Sequence, residues 1–182
     1  GFRVGTFTSP YIMKFHERIS LNGISISDED LVHHVKKIKP LYEKLEQTPL
    51  GAATEFEVIT AIAFDYFAQQ EVDYVIFETG LGGRLDSTNI VRPLITVITN
   101  VGKDHMNILG DTYEEIAFEK AGIIKNRIPL VTAVNQRDAR KVVCSQARKM
   151  HAPVYEYGKD FFSSNHQLDE GKEHFTFQSS AV

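Results

Sequence analysis

The sequence is 182 residues long, 42% hydrophobic and 24% charged, with a formal net charge of −4 at pH 7, values that suit a globular chain with a substantial core. They exclude a disordered polypeptide and argue against a nonspecific nucleic-acid binder, which would be basic; no apolar run is long enough to cross a bilayer. The single cysteine, Cys144, excludes an intrachain disulfide, fits a reducing compartment, and reads as a buried helix residue rather than a nucleophile.

The N-terminus, Gly1-Phe2-Arg3-Val4-Gly5, reads as an interior strand with no secretory signal and no initiating Met, so the sequence is expected to be a piece of a longer chain. Arg3 to Thr8 forms the first predicted strand. Arg18 to Ile26, with Asn22-Gly23 inside it, has the pattern of a small hairpin. Ser27 to Glu46 follows as a helix, with Ser27 as N-cap and Asp28, Glu29 and Asp30 near the positive end of the dipole. A second helix covers Glu55 to Gln69. Tyr74 to Phe77, Ile95 to Thr99 and Leu130 to Ala133 are nearly continuous in β-branched and aromatic residues, as parallel strands covered on both faces are. Thr112-Tyr113-Glu114-Glu115 is a capping box that opens a helix to Ala121. Arg137 to Met150 supplies another helix, and Val154-Tyr155 a short strand. This alternation predicts an α/β fold with a mostly parallel sheet flanked by helices. From Lys159 the pattern becomes turn-rich, and His174-Phe175-Thr176-Phe177 alternates like an edge strand or hairpin. The last residues, Ala181-Val182, carry no terminating signal, which again fits a piece of a longer chain.

In an open parallel sheet, ligands bind beyond the carboxyl ends of the strands. Two places satisfy that rule. After Phe77 comes Glu78 and then the glycine-rich turn Thr79-Gly80-Leu81-Gly82-Gly83-Arg84-Leu85-Asp86; after Thr99 come Asn100-Val101-Gly102-Lys103-Asp104-His105. Glu78 offers the hard oxygen that Mg²⁺ takes, and His105 an imidazole. Gly80, Gly82 and Gly83 permit positive φ and close approach of a ligand to the main chain. The spacing is not that of a dinucleotide fingerprint, the turn opens no clear helix, and no G-x-x-x-x-G-K-[ST] phosphate loop occurs in the sequence. The structural alternative is an ordinary bend in which Glu78 pairs with a nearby arginine such as Arg84, and His105 is structural. By pattern, Lys120 lies on a solvated helix face, although a lysine whose amine is desolvated can take up CO₂ as a carbamate and bridge metals.

Several motifs then occur in one order: Thr8-Ser9-Pro10-Tyr11, Glu17-Arg18-Ile19, Thr54-Glu55-Phe56-Glu57, Glu78 through Asn89, and Asp104-His105 followed by Glu119-Lys120-Ala121-Gly122-Ile123. Together they resemble the folylpolyglutamate/dihydrofolate synthase family of the Mur ligase superfamily, from the first residue to about Pro153. The resemblance implies that residues 1–182 are part of a P-loop-type ATP-binding central domain, with the phosphate loop upstream and a smaller C-terminal domain downstream, both missing. It implies ATP as co-substrate, Mg²⁺, and a carboxylate activated as an acyl phosphate before the amine of L-glutamate displaces phosphate. The carboxylate would be that of dihydropteroate or of a folate already carrying glutamate.

The resemblance also implies individual roles. Ser9 and Glu78 correspond to ligands of a first Mg²⁺. His105 corresponds to a ligand of a second, which the carbamylated Lys120 helps to hold. Ala53, Thr54, Glu55 and Phe56, with Leu85, Asp86 and Ser87, correspond to pterin-binding positions, Phe56 stacking on the ring and Asp86 accepting its N–H groups. Tyr11 stands where the family often has histidine. A cytoplasmic monomer without nucleic-acid or membrane partners follows, with the isolated chain inactive. A peptidoglycan-precursor ligase joining an amino acid to a UDP-linked sugar is the alternative enzyme, and a non-catalytic nucleotide- or metabolite-binding module the alternative outside catalysis.

Overall fold

Strand β1, Val4–Phe7, pairs antiparallel with β2, Ile19–Leu21, which turns back into β3, Ile24–Ser25. The turn is made by Asn22 and Gly23, both with positive φ (49° and 79°), the backbone that a two-residue hairpin of this twist requires and that Asn-Gly adopts readily. The structure is a computed structural model that describes residues 1–180, so Ala181-Val182 lies outside the described residues. The chain divides into two compact units, the first of Gly1–Leu81 and Asp86–Ile90, the second of Gly82–Leu85 and the residues from Val91 onward.

In the first unit, helix α1 (Asp28–Glu46) starts as the sequence predicts, with the Ser27 hydroxyl accepting the Asp30 N–H at 3.0 Å. Helix α2 (Glu55–Gln69) opens on a capping box: the Thr54 hydroxyl accepts the Glu57 N–H at 3.2 Å, and the Glu57 carboxylate accepts the Thr54 N–H at 2.6 Å. Strand β4 (Tyr74–Phe77) lies parallel to β1 and completes a sheet of order β3-β2-β1-β4. The core gathers Phe7, Ile19 and Ile26 with Ile59, Ile62, Ala63, Tyr66 and Phe67 of α2. Helices α1 and α2 are also joined through the buried His34, whose Nδ1 lies 2.6 Å from Asp65 Oδ2, while Lys37 pairs with the other carboxylate oxygen.

In the second unit, β5 (Thr96–Ile98), β6 (Leu130–Thr132) and β7 (Val154–Glu156) form a parallel sheet in that order. The short helix α3 (Met106–Leu109) precedes α4 (Tyr113–Ala121), and α5 (Arg137–Lys149) follows β6. Ile116, Ala117 and Ala121 of α4 and Ala139, Val143 and Ala147 of α5 are buried. Strands β8 (Phe161–Asp169) and β9 (Lys172–Ser179) make an antiparallel hairpin, longer than the His174–Phe177 segment that signals it in the sequence.

The α/β class with parallel pairing flanked by helices holds. Burial of β4 and β5 on both faces does not: Ile76 is 59% exposed and Val97 52%. Successive side chains point to opposite faces, and within each unit only one face of these strands is covered. An apolar run therefore reports the strand correctly and its coverage incorrectly. No helix among the described residues is long and apolar enough to cross a membrane.

Candidate active site

Parallel pairing of β1 with β4 aligns Phe7 with Phe77, so the residues just beyond both strands emerge together. The Glu78 N–H donates to the Phe7 carbonyl at 2.8 Å, and the Ser9 N–H donates to Glu78 Oε2 at 2.8 Å. The two residues assigned to the first metal by resemblance are thus adjacent, with the carboxylate exposed. Within the second unit, the Arg84 guanidinium is bound to the Glu119 carboxylate.

The loop after Ser9 is closed by Glu17. Its carboxylate accepts the N–H groups of Ile12 (2.9 Å), Met13 (3.2 Å) and Lys14 (3.0 Å). These donors, Ile12 foremost, hold the carboxyl below the usual glutamate value. Arg18 lies over the rings of Tyr11 and Phe15, at 5.3 and 5.6 Å from their centroids, so Tyr11 packs on a cation instead of supplying one. The sequence shows Glu17 only as part of a motif; its work as a three-donor anchor depends on a loop conformation that no local spacing announces.

The residues assigned to pterin binding fall mostly in the first unit and are already engaged. Ala53 is half-buried just ahead of α2. Thr54 caps α2, and Glu55 pairs with Arg18 at 3.7 Å. The Phe56 ring stands over Gly80, where an added Cβ would lie 2.4 Å from Phe56 Cζ, and 5.8 Å from the Phe7 ring. Asp86 accepts four hydrogen bonds: Oδ2 from the N–H groups of Gly80 (3.0 Å) and Leu81 (2.9 Å), Oδ1 from the N–H (2.9 Å) and hydroxyl of Thr88. A carboxylate has about four acceptor positions, so in this conformation Asp86 organises the turn. Ser87 begins a 3-10 turn, Ser87–Ile90, where the sequence reading sees no clear helix. It lines an open groove of about 480 Å³ with Ile90 and with Glu57, Thr60, Phe64 and Asp65 of α2. Leu85 is exposed and belongs to the second unit.

In that unit His105 has φ 51° and caps α3, its N–H donating to the Asp104 carboxylate at 2.7 Å. A left-handed conformation in a residue other than glycine costs energy and concentrates at functional positions. Lys120 is half-buried in the last turn of α4. The glycines near it pack closely against the chain itself. A Cβ on Gly83 would lie 2.9 Å from the Lys120 carbonyl oxygen, and one on Gly82, the turn glycine with positive φ (65°), 2.9 Å from the Leu109 side chain.

Among the described residues no group of three or more His, Cys, Asp or Glu is placed to hold a metal by itself. Mg²⁺ does not require one, since it commonly takes one or two protein oxygens and completes its shell with water and substrate phosphate. The exposed Glu78 carboxylate, with the Ser9 backbone N–H on its Oε2 at 2.8 Å, is an oxygen ligand of that kind, and the Ser9 hydroxyl belongs to the adjoining residue. The His105 imidazole is of a chemical type that divalent cations take, and a carbamate on Lys120, were it formed, would be another.

The sequence matches the Mur ligase middle domain over residues 29–181. It is 56% identical over 180 residues to the dihydrofolate synthase/folylpolyglutamate synthase of Bacillus subtilis (strain 168), covering 98% of this chain and 42% of that protein. Among solved structures, folylpolyglutamate synthase from Thermotoga maritima shares 40% identity at a TM-score of 0.89, over 98% of this chain and 41% of that one. An FPGS–AMPPCP–folate complex shares 39% identity at a TM-score of 0.93, over 99% of this chain and 44% of that one. The chain therefore spans about 42% of the length of the first curated relatives it matches. Motif order, parallel strand ends and the domain match agree: the chain belongs to the Mur ligase middle-domain family, and its relatives there include folylpolyglutamate and dihydrofolate synthases.

Proposed function

We propose that this chain is part of the ATP-binding central domain of an amide ligase that adds L-glutamate to dihydropteroate, to folylpolyglutamate, or to both. In the proposed reaction a substrate carboxylate oxygen takes the γ-phosphoryl group as the β–γ P–O bond breaks and ADP leaves. The glutamate nitrogen then attacks the acyl carbon, a C–N bond forms, the C–O bond to phosphate breaks, and the amine gives up a proton. The observation that carries this reading is the juxtaposition of Ser9 and Glu78 at neighbouring parallel strand ends. The names of the relatives and the AMPPCP–folate complex of one of them support it.

Ser9 and Glu78 would hold one Mg²⁺, and His105 with Lys120 a second. Bound there, the ions supply positive charge against phosphate and carboxylate oxygens, the largest electrostatic demand of the reaction. The Lys120 amine, once neutral, adds to CO₂: an N–C bond forms, one C=O pair moves to oxygen, and the proton leaves to water. Phe56 and Ser87 would line the pterin position with Ala53, Thr54, Glu55 and Leu85, while Asp86 keeps the turn in shape for it. The isolated 182-residue segment is proposed to be inactive, because it holds no G-x-x-x-x-G-K-[ST] loop. A cytoplasmic monomer completes the reading.

The test is turnover by the full-length protein with ATP, Mg²⁺ and labelled glutamate, offered dihydropteroate, a glutamylated folate or a UDP-linked muramyl substrate in parallel. Activity with the UDP substrate alone would overturn the folate reading. Unchanged turnover and Mg²⁺ dependence in Glu78→Ala and His105→Ala would remove these residues from the metal sites.

A further inference from the structure

The second unit locks the Gly82-Gly83-Arg84 turn onto the last turn of α4, which bears Lys120. The Arg84 N–H donates to the Glu119 carbonyl at 2.8 Å. Its guanidinium grips the Glu119 carboxylate through Nε (3.3 and 3.2 Å) and Nη2 (3.0 Å), and lies 5.5 Å from the Phe118 ring centroid. The fit is close on both sides. A Cβ on Gly83 would meet the Lys120 and Glu119 carbonyl oxygens at 2.9 and 3.1 Å, and one on Gly122 would meet Arg84 Cβ at 2.3 Å and Cα at 2.4 Å. Motifs 35 residues apart in sequence thus form one interlocked piece around Lys120.

A helix C-terminus carries partial negative charge and disfavours an anion. A carbamate on Lys120 therefore needs the last carbonyls satisfied and the last turn held in place. The Arg84 and Gly122 N–H groups take the Glu119 carbonyl, and the Ile123 N–H takes that of Lys120 at 3.3 Å. We infer that Arg84 and Glu119 are positioning residues for Lys120, fixing the end of α4 so that its carbamate forms and persists. This inference rests on the reading of Lys120 as the carbamylated lysine.

The experiment is ¹³C NMR of the full-length protein equilibrated with ¹³C-bicarbonate, with Lys120→Ala assigning the carbamate resonance. Glu119→Gln and Arg84→Lys are measured beside wild type, with melting temperature read for each. The bicarbonate concentration for half occupancy should rise roughly 10-fold in both, the low end for residues that orient metal-binding groups. Turnover should fall at ambient CO₂ and recover with added bicarbonate, and the exchanged pair Arg84→Glu with Glu119→Arg should restore part of the occupancy. A merely structural pair would lower the melting temperature without making turnover depend on bicarbonate. Folded variants with unchanged half occupancy overturn the inference and leave the carbamate reading intact. Absence of the resonance in wild type overturns both. Should Glu119→Gln not fold, Arg84→Lys decides alone, since it keeps a cation that can donate to Glu119 but loses the planar guanidinium fork.

Discussion

Replacing Asp86 by alanine removes four hydrogen bonds at once, from Gly80, Leu81 and both donors of Thr88. Thr88 is buried, so its N–H and hydroxyl lose their partner where water reaches them poorly, at a cost of roughly 1–2 kcal/mol each. Gly80 is exposed and regains water; Leu81 falls between. The total is about 2–4 kcal/mol, concentrated in the turn. Because every 1.4 kcal/mol is a tenfold change, amide exchange at Leu81 and Thr88 should accelerate at least about 30-fold. Asp86→Asn keeps one acceptor oxygen and should fall between alanine and wild type. The assay is hydrogen exchange by NMR on the full-length protein, without substrate. Unchanged protection at Leu81 and Thr88 in Asp86→Ala, accompanied by weakened pterin-substrate binding, would refute the reasoning and return the carboxylate to the ligand.

Glu17, Glu57 and Glu115 each anchor N–H donors and have carboxyls held below the ordinary value of 4.5. Their contributions are therefore present above that value and lost as pH falls through the lowered folded values. Acid titration followed by amide exchange should release Ile12, Met13 and Lys14 together, and Glu17→Gln should leave those amides faster-exchanging already at neutral pH. Gly80→Ala would set a methyl 2.4 Å from Phe56 Cζ and should cost about 1–3 kcal/mol in urea unfolding, part of it recovered by Phe56→Leu. Asp65→Asn should cost about 1–2 kcal/mol, mainly through the buried His34, because the Lys37 partner is half exposed. Asp65 is also held below its usual range, first by Lys37 and then by His34, so this part of the stability is present above pH 3.8 and disappears as pH falls through the lowered value.

What the sequence discloses is mostly what acts over one turn of chain. Ser27 and Thr112 mark helix starts because a cap is written within four residues, and Asn22-Gly23 marks its hairpin for the same reason. Thr54 and Glu57 carry that same signal, yet inside a motif with a functional reading the cap is easily passed over. Glu78 is legible through strand-end logic once its strand is recognised, whereas Ser9 beside it is reached only through the family resemblance. The partners of Asp86 and Arg84 are not legible. Asp86 folds back on its own turn, and Arg84 binds Glu119 from 35 residues away, choices made by tertiary geometry and invisible to spacing. Exposure of Ile76 and Val97 was likewise not readable, since hydrophobicity describes what a face prefers and not what covers it.

The parallel register between β1 and β4 has a consequence for tolerated sequence change. Ser9 meets Glu78 because both stand at fixed offsets from the aligned pair Phe7 and Phe77. Substitutions within Val4–Phe7 or Tyr74–Phe77 alter packing and leave those offsets alone. Inserting or deleting one residue in either strand shifts every following side chain to the opposite face, carrying Ser9 or Glu78 out of reach of the other. The two segments are thus fixed in length more strictly than in composition, and a library of single-codon insertions should find them intolerant at positions where many amino-acid replacements are accepted.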